Sequence, residues 1–252
     1  MTQLWAQELA ASFWRDAGES AGDFPRDLRR AVALALPLAV VDVPRPRVVS
    51  VNRWLDRYGI HPIDADAARP LRACLLVGRG AGVVFLDGAD ADDERQFSLG
   101  HEVAHYLIEC QSPRSLIARR LGPGSADLLD GTRLPTIQER VGAALAGVSF
   151  DRVMHLMVRG DHGALSEAVT RAERHADLLA IELLAPVEAV TSLVDMNAGR
   201  VTVEHALKSR FGLPEVVAGA YAELLAPQPE VSPLVRRLRA VSHFSPRVGN
   251  EL

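Results

Sequence analysis

The chain has 252 residues, 48% of them hydrophobic and 24% charged, a composition that suits a globular protein with length for a sizeable core. A formal net charge of −4 excludes a global basic field that would hold nucleic acid or an anionic membrane surface. Two cysteines, Cys74 and Cys110, exclude a disulfide framework and a four-cysteine zinc site.

The first residues lack a basic region followed by an apolar core, so no secretory signal is read there and the cytoplasm is the expected location. Trp5, Leu9 and Phe13 recur at helical spacing, with Ala6 and Ala10 beside them. DFPRDLRRAVALAL predicts a second helix with Pro25 in its first turn. AVALALPLAVV, the most apolar run, is interrupted by Pro37 and is too short to span a bilayer. LAVVDV (38–43) has strand composition, PRPR (44–47) interrupts it, and VNRWLDRYG predicts a short helix stopped by Gly59. RACLLVG and GVVFLD read as a hairpin around the turn GRGAG.

ADADDERQF then opens a helix, its acids suited to the positive end of the helix dipole. Residues 111–135 are rich in breakers, and Thr136 with Glu139 predicts a capping box. VSFDRVMHLMV fits a strand or a helix. A long helix is expected from Ser166 to Pro186, then a helical pair at 202–211 and 214–225 split by Gly212 and Pro214. The Pro-rich end, 227–252, is expected to be mobile.

The helix opened by the acids carries HEVAH, residues 101–105. Residues four apart share a helix face, so the imidazoles of His101 and His105 can point at one ion. Glu102 is rotated by about 100° and falls beside that ion, where a carboxylate can act as a base. On a helical wheel Phe97, Gly100, Val103, Ala104, Leu107 and Ile108 form the apolar side. The polar arc of His101, Glu102, His105 and Glu109 is therefore expected to face a cleft or a partner. Glu173 and Asp177, also four apart on the later helix, supply a candidate third ligand and an acceptor for a ligand histidine's free N–H. His155 and His162 are further candidates. Glu109 lies two turns from His101 and is an awkward ligand, and His175 points to another face.

At these residues the chain resembles the ImmA/IrrE family of metallopeptidases. ERQFSLGHEVAHYLI is similar to its Arg-Phe-x-x-x-His-Glu-x-x-His segment, with Gln96 where arginine is usual. ERHADLLAIELLAP is similar to its Glu-x-x-Ala-[Asn/Asp]-x-x-Ala-x-x-Leu-Leu-x-Pro segment, through Glu173, Ala176, Asp177, Ala180, Leu183, Leu184 and Pro186. The resemblance implies zinc held by His101, His105 and Glu173, Glu102 as catalytic base, and a transcriptional repressor of the XRE type as protein substrate. The separation of His105 from Glu173 exceeds what a compact member needs, so 111–165 reads as an inserted, lid-like segment.

The expected fold is α+β and mostly helical: a zincin-like domain with a small β-sheet before the active-site helix and a C-terminal helical pair. Its parts are an N-terminal helical region (1–60), the metallopeptidase domain (61–190), the pair (195–226) and the tail. GVVFLD is the candidate strand for pairing with an extended substrate. His155, Arg159, His162 and Tyr106 are candidates for stabilising an oxyanion or touching substrate. The C-terminal pair also resembles a helix-turn-helix, but PEVVAGAYAELLA has no Lys or Arg for phosphates, so it reads as a packing or homodimer element. A zinc-stabilised binding module without turnover is the alternative.

Overall fold

The computed structural model describes residues 4–18, 23–60, 62–78, 81–112, 115, 153–159 and 166–226. Eight α-helices and four strands make an α+β fold among these residues. In chain order they are α1 (Leu4–Asp16), α2 (Leu28–Ala35), β1 (Leu38–Val43), α3 (Val48–Asp56), β2 (Leu71–Gly78), β3 (Ala81–Asp87) and α4 (Asp92–His105). A π-helical turn, Tyr106–Gln111, extends α4. Then come β4 (Val153–Val158), α5 (Glu167–Leu184), α6 (Val187–Leu193), α7 (Arg200–Phe211) and α8 (Glu215–Leu225).

The sheet order is β1-β3-β2-β4. The β2–β3 hairpin lies at its centre, β1 runs parallel to β3, and β4 runs antiparallel to β2. The expected hairpin is present. VSFDRVMHLMV resolves in favour of a strand at Val153–Val158, so this part of the 111–165 segment belongs to the sheet. Thr136, Glu139, the rest of that segment's 116–152 stretch and the 227–252 tail lie outside the described residues. GVVFLD, however, is flanked on both sides, by β1 and by β2, and has no edge left for a substrate. The expectation that it binds an extended peptide is corrected: a strand with both ladders filled cannot accept a third partner.

Alternation places Leu38, Ala73, Leu75, Val84 and Leu86 on the face covered by the main helical core. Leu71, Cys74 and Phe85 pack on the opposite face with Val48, Val51 and Leu55 of α3. The β2–β4 register slips between Leu71 and Ala73, so that Arg72 has no partner residue on β4. This bulge changes the phase of β2: Leu71 faces α3, whereas Ala73, two residues on, faces the main core.

Helix α2 begins at Leu28, where Asp27 caps it by accepting from the Arg30 N–H at 2.9 Å, so Pro25 precedes the helix rather than opening it. Residues of α1, α2, α4, α5, α7 and α8 share one core, and the N-terminal helices are continuous with the rest. Two long-range bonds pin the end of α5: Trp14 Nε1 donates to the Leu183 carbonyl at 3.1 Å, and the Tyr221 hydroxyl to the Ala185 carbonyl at 3.3 Å. They satisfy carbonyls that a helix end leaves without a partner. The C-terminal pair turns at Gly212, whose φ of 70° suits glycine, and buries Leu207, Phe211, Ala218 and Tyr221 in the same core. No helix among the described residues is long and apolar enough to cross a membrane.

The α5–α6 corner contains a buried acid. Glu182 is 3% exposed and its carboxylate accepts from the Val187 N–H at 3.3 and 3.4 Å. Burial raises its pKa to about 7, against the smaller opposing pull of the Val187 N–H and the Arg26 charge. The folded value lies above that of a free carboxyl, so this stabilising protonation is complete below the unfolded pKa and is lost as pH rises through about 7. Glu182→Gln should therefore raise the unfolding temperature at about pH 8, by the equivalent of roughly 1–3 kcal/mol, and change it little at about pH 5. Thermal melts of both proteins at the two pH values test this.

Candidate metal centre

Every residue of α4 from Phe97 to His105 is buried. Of the two expectations for the polar arc, a cleft or a partner, it meets partners: His101, Glu102 and His105 face side chains of α5 and β4, while Glu109 stays exposed. His101 and His105 are each 2% exposed and Glu102 is fully buried. Burying three ionisable groups on one helix turn costs several kcal/mol unless they are paired.

The pairing is specific. The Nε2 atoms of His101 and His105 lie 3.2 Å apart. Glu173, delivered by α5, places Oε2 3.3 Å from His101 Nε2 and Oε1 3.8 Å from His105 Nε2. His155, on β4, brings its Nε2 to 2.9 Å from Glu173 Oε1. One ligand atom from each of His101, His105, His155 and Glu173 falls within 4.8 Å of the others, so these four residues can hold a metal ion.

Behind the rings stand more carboxylates. His101 Nδ1–H donates to Asp177 Oδ1 at 2.9 Å, and His105 Nδ1–H to Glu109 Oε1 at 2.7 Å. His155 Nδ1–H donates to Glu102 Oε2 at 2.9 Å. Four carboxylates thus surround three imidazoles. The other oxygen of Glu102, Oε1, is buried with no hydrogen-bond partner among the described residues. A buried carboxylate oxygen left in that condition fits a site built for a cation or water.

Burial opposes a charge on His101, but the bonds to Asp177 and Glu173 and the field of Glu102 outweigh it and raise its pKa to about 9. Burial likewise opposes a charge on His155, where Glu102 and Glu173 prevail and raise its pKa to about 10. Glu173 is desolvated too, which favours its neutral form, yet His101 and His155 hold it well below the ordinary carboxylate range. Burial first, and then Glu102, push the Cys74 thiol above its ordinary value, so it is no nucleophile near neutral pH.

No family model and no curated protein matches this chain. The likeness to ImmA/IrrE peptidases rests on the two motif blocks, and the reading of the site rests on its geometry.

Among the sequence candidates, the structure gathers His101, Glu102, His105, Glu173, Asp177 and His155 and gives Arg159, Tyr106 and His175 other partners. Arg159 forms ion pairs with Asp87 at 2.8 Å and Asp90 at 2.6 Å, and so clamps the end of β4 to the β3–α4 corner. Tyr106 is buried in the main core. His175 packs on Trp5, their ring centroids 5.3 Å apart. His162 lies outside the described residues. One role escaped the sequence reading, and one candidate proved more central than its pattern suggested. Glu109, awkward as a ligand, instead anchors His105, a role that i, i+4 spacing signals. His155 reaches the centre of the cluster, which nothing in its local sequence indicates.

Protonated imidazoles cannot ligate, so a cation must displace their protons. Metal uptake near pH 7.5 should release one or more protons per ion bound. Titration calorimetry in buffers of different ionisation enthalpy measures this, and an uptake enthalpy independent of buffer would contradict charged histidines in the metal-free site.

Proposed function

We propose that the protein is a zinc-dependent endopeptidase whose ion is held by His101, His105 and Glu173, with Glu102 as the base. The observation that carries this reading is the meeting of α4 and α5, which sets Glu173 against both ring nitrogens of the HEVAH turn. Bonds of about 2.0–2.1 Å to a tetrahedral ion place its ligand atoms roughly 3.3 Å apart. The separations of 3.2 Å between the two Nε2 atoms and 3.3 Å from His101 to Glu173 fit that ion. The donor set, imidazole nitrogen with one carboxylate, suits zinc.

When bound, zinc supplies Lewis acidity: it polarises a carbonyl and lowers the pKa of water. The chain's own groups do the rest. Asp177 and Glu109 fix the tautomers of His101 and His105 and turn each Nε2 to the centre. Glu102 Oε1, buried beside that centre, takes a proton from water and passes it to the leaving amine. Enclosure strengthens each of these interactions by excluding bulk water.

An extended substrate can add to the sheet at β4. This strand has β2 on one side and, among the described residues, no strand on the other, and it carries His155 to the ligand cluster. A transcriptional repressor as the substrate, cytoplasmic location and self-association through α7 and α8 belong to the same proposal. Val201, Val216 and Leu224, all exposed on that pair, support the last of these.

Glu102→Gln should keep zinc and lose peptidase activity by a factor of roughly 10² to 10⁴. Cleavage of casein and of a purified XRE-type helix-turn-helix repressor, with and without chelator, provides the assay. Full activity in that variant would remove Glu102 from the chemistry. Glu173→Gln should weaken zinc retention during dialysis, and Asp177→Ala should lower zinc affinity by roughly 10- to 100-fold. A second reading, a zinc-stabilised protein without turnover, is favoured by the fourth donor, His155. It requires a zinc-loaded wild type that cleaves neither substrate.

A further inference from the structure

We infer that His155 is a fourth ligand of the resting site and that it must be withdrawn before the site can act. The inference rests on the metal-peptidase reading. Its basis is a pattern repeated three times. Each of His101, His105 and His155 points Nε2 into one small volume and donates from Nδ1 to a carboxylate: Asp177 at 2.9 Å, Glu109 at 2.7 Å and Glu102 at 2.9 Å. A ligating histidine needs this arrangement, because the carboxylate fixes the tautomer and leaves the Nε2 lone pair for the ion. By this measure His155 is built as a ligand no less than the two HEVAH histidines are.

Position agrees with chemistry. The His155 Nε2 lies 2.9 Å from Glu173 Oε1 and within 4.8 Å of the ligand atoms of His101 and His105. Three imidazoles and one carboxylate are four donors, the number a closed zinc site takes. A tetrahedral site with four protein ligands is closed, whereas a hydrolytic one keeps a position for water. The same residue occupies one oxygen of the base, through Glu102 Oε2. It leaves Oε1 without a partner among the described residues, so His155 acts by filling the position that water needs.

The carrier of His155 suits release. HEVAH and Glu173 sit on helices packed into the core, whereas β4 pairs, among the described residues, with β2 as its one neighbouring strand and is tied at its end by Arg159 to Asp87 and Asp90. Withdrawal of that one side chain opens the fourth position, while His101, His105 and Glu173 keep the ion.

Cobalt(II) loading gives a readout independent of turnover. Wild type, His155→Ala and His155→Cys are loaded with cobalt and titrated with acetohydroxamate while the visible bands are followed. His155→Ala should keep the ion and bind acetohydroxamate at least tenfold more tightly than wild type. His155→Cys should show a thiolate-to-cobalt charge-transfer band, which settles the matter even where the alanine variant fails to fold. Equal hydroxamate affinities, or absence of that band in a cobalt-loaded cysteine variant, overturn the proposal and leave the three-ligand reading intact. A wild type that takes up no cobalt overturns both.

Discussion

Helix α5 runs so close to α4 that a methyl group built on Gly100 would lie 3.5 Å from both Ala180 Cβ and Leu184 Cδ1. This close apolar contact has an electrostatic consequence. It excludes bulk water from the turn that carries His101, Glu102 and His105, and in that medium each ionisable group must find a partner or lose its charge. Glu173 and Asp177 sit on the same stretch of α5 as the apolar residues that make the contact, so the packing that imposes the cost also delivers the groups that offset it.

The site is accordingly a balance of opposite tendencies. Desolvation favours neutral acids and neutral imidazoles, whereas proximity favours ion pairs. Proximity wins at His101, His155 and Glu173. Desolvation wins at Cys74 and at Glu182, which lack a comparable cluster of opposite charge. Desolvated acids of both kinds thus occur in the chain, Glu173 held charged and Glu182 held neutral. The ones beside α4 form a concentrated negative field, and that field is what would draw a divalent cation into an otherwise apolar interior.

Much of this was legible in the residue pattern, because it depends on local periodicity. The i, i+4 spacing in HEVAH and in Glu173–Asp177 placed ligand candidates on two helix faces, and the run after Ser166 gave α5 nearly to the residue. Hairpin β2–β3 followed from composition and its glycine-rich turn. The misreadings have a common physical source, which is order within the sheet. Whether GVVFLD or VMHLMV takes the outer position depends on long-range pairing that neither segment encodes by itself. The same holds for His155, whose partners Glu102 and Glu173 lie far away in sequence. Glu109 is different: its spacing from His105 was sufficient, and its axial distance from His101 drew attention away from a supporting role. The polar arc of α4 was legible as needing a cleft or a partner, but the partners, Glu173 and His155, come from elements distant in sequence.

The irregularity at Arg72 ties the chemistry of the site to a count of residues. Between Leu71 and Ala73 the phase of β2 reverses, and from Ala73 to Val77 the register with β4 is regular, with Leu75 opposite His155. Because side chains alternate along a strand, a slip of one residue in that pairing would turn every β4 side chain to the other face of the sheet. Met157 would leave the main core, and the imidazole would move to the α3 side of the sheet, with a β-sheet's thickness between it and Glu173. The centre could thus be dismantled by a frame error in strand alignment, with every one of its coordinating residues still present in the chain.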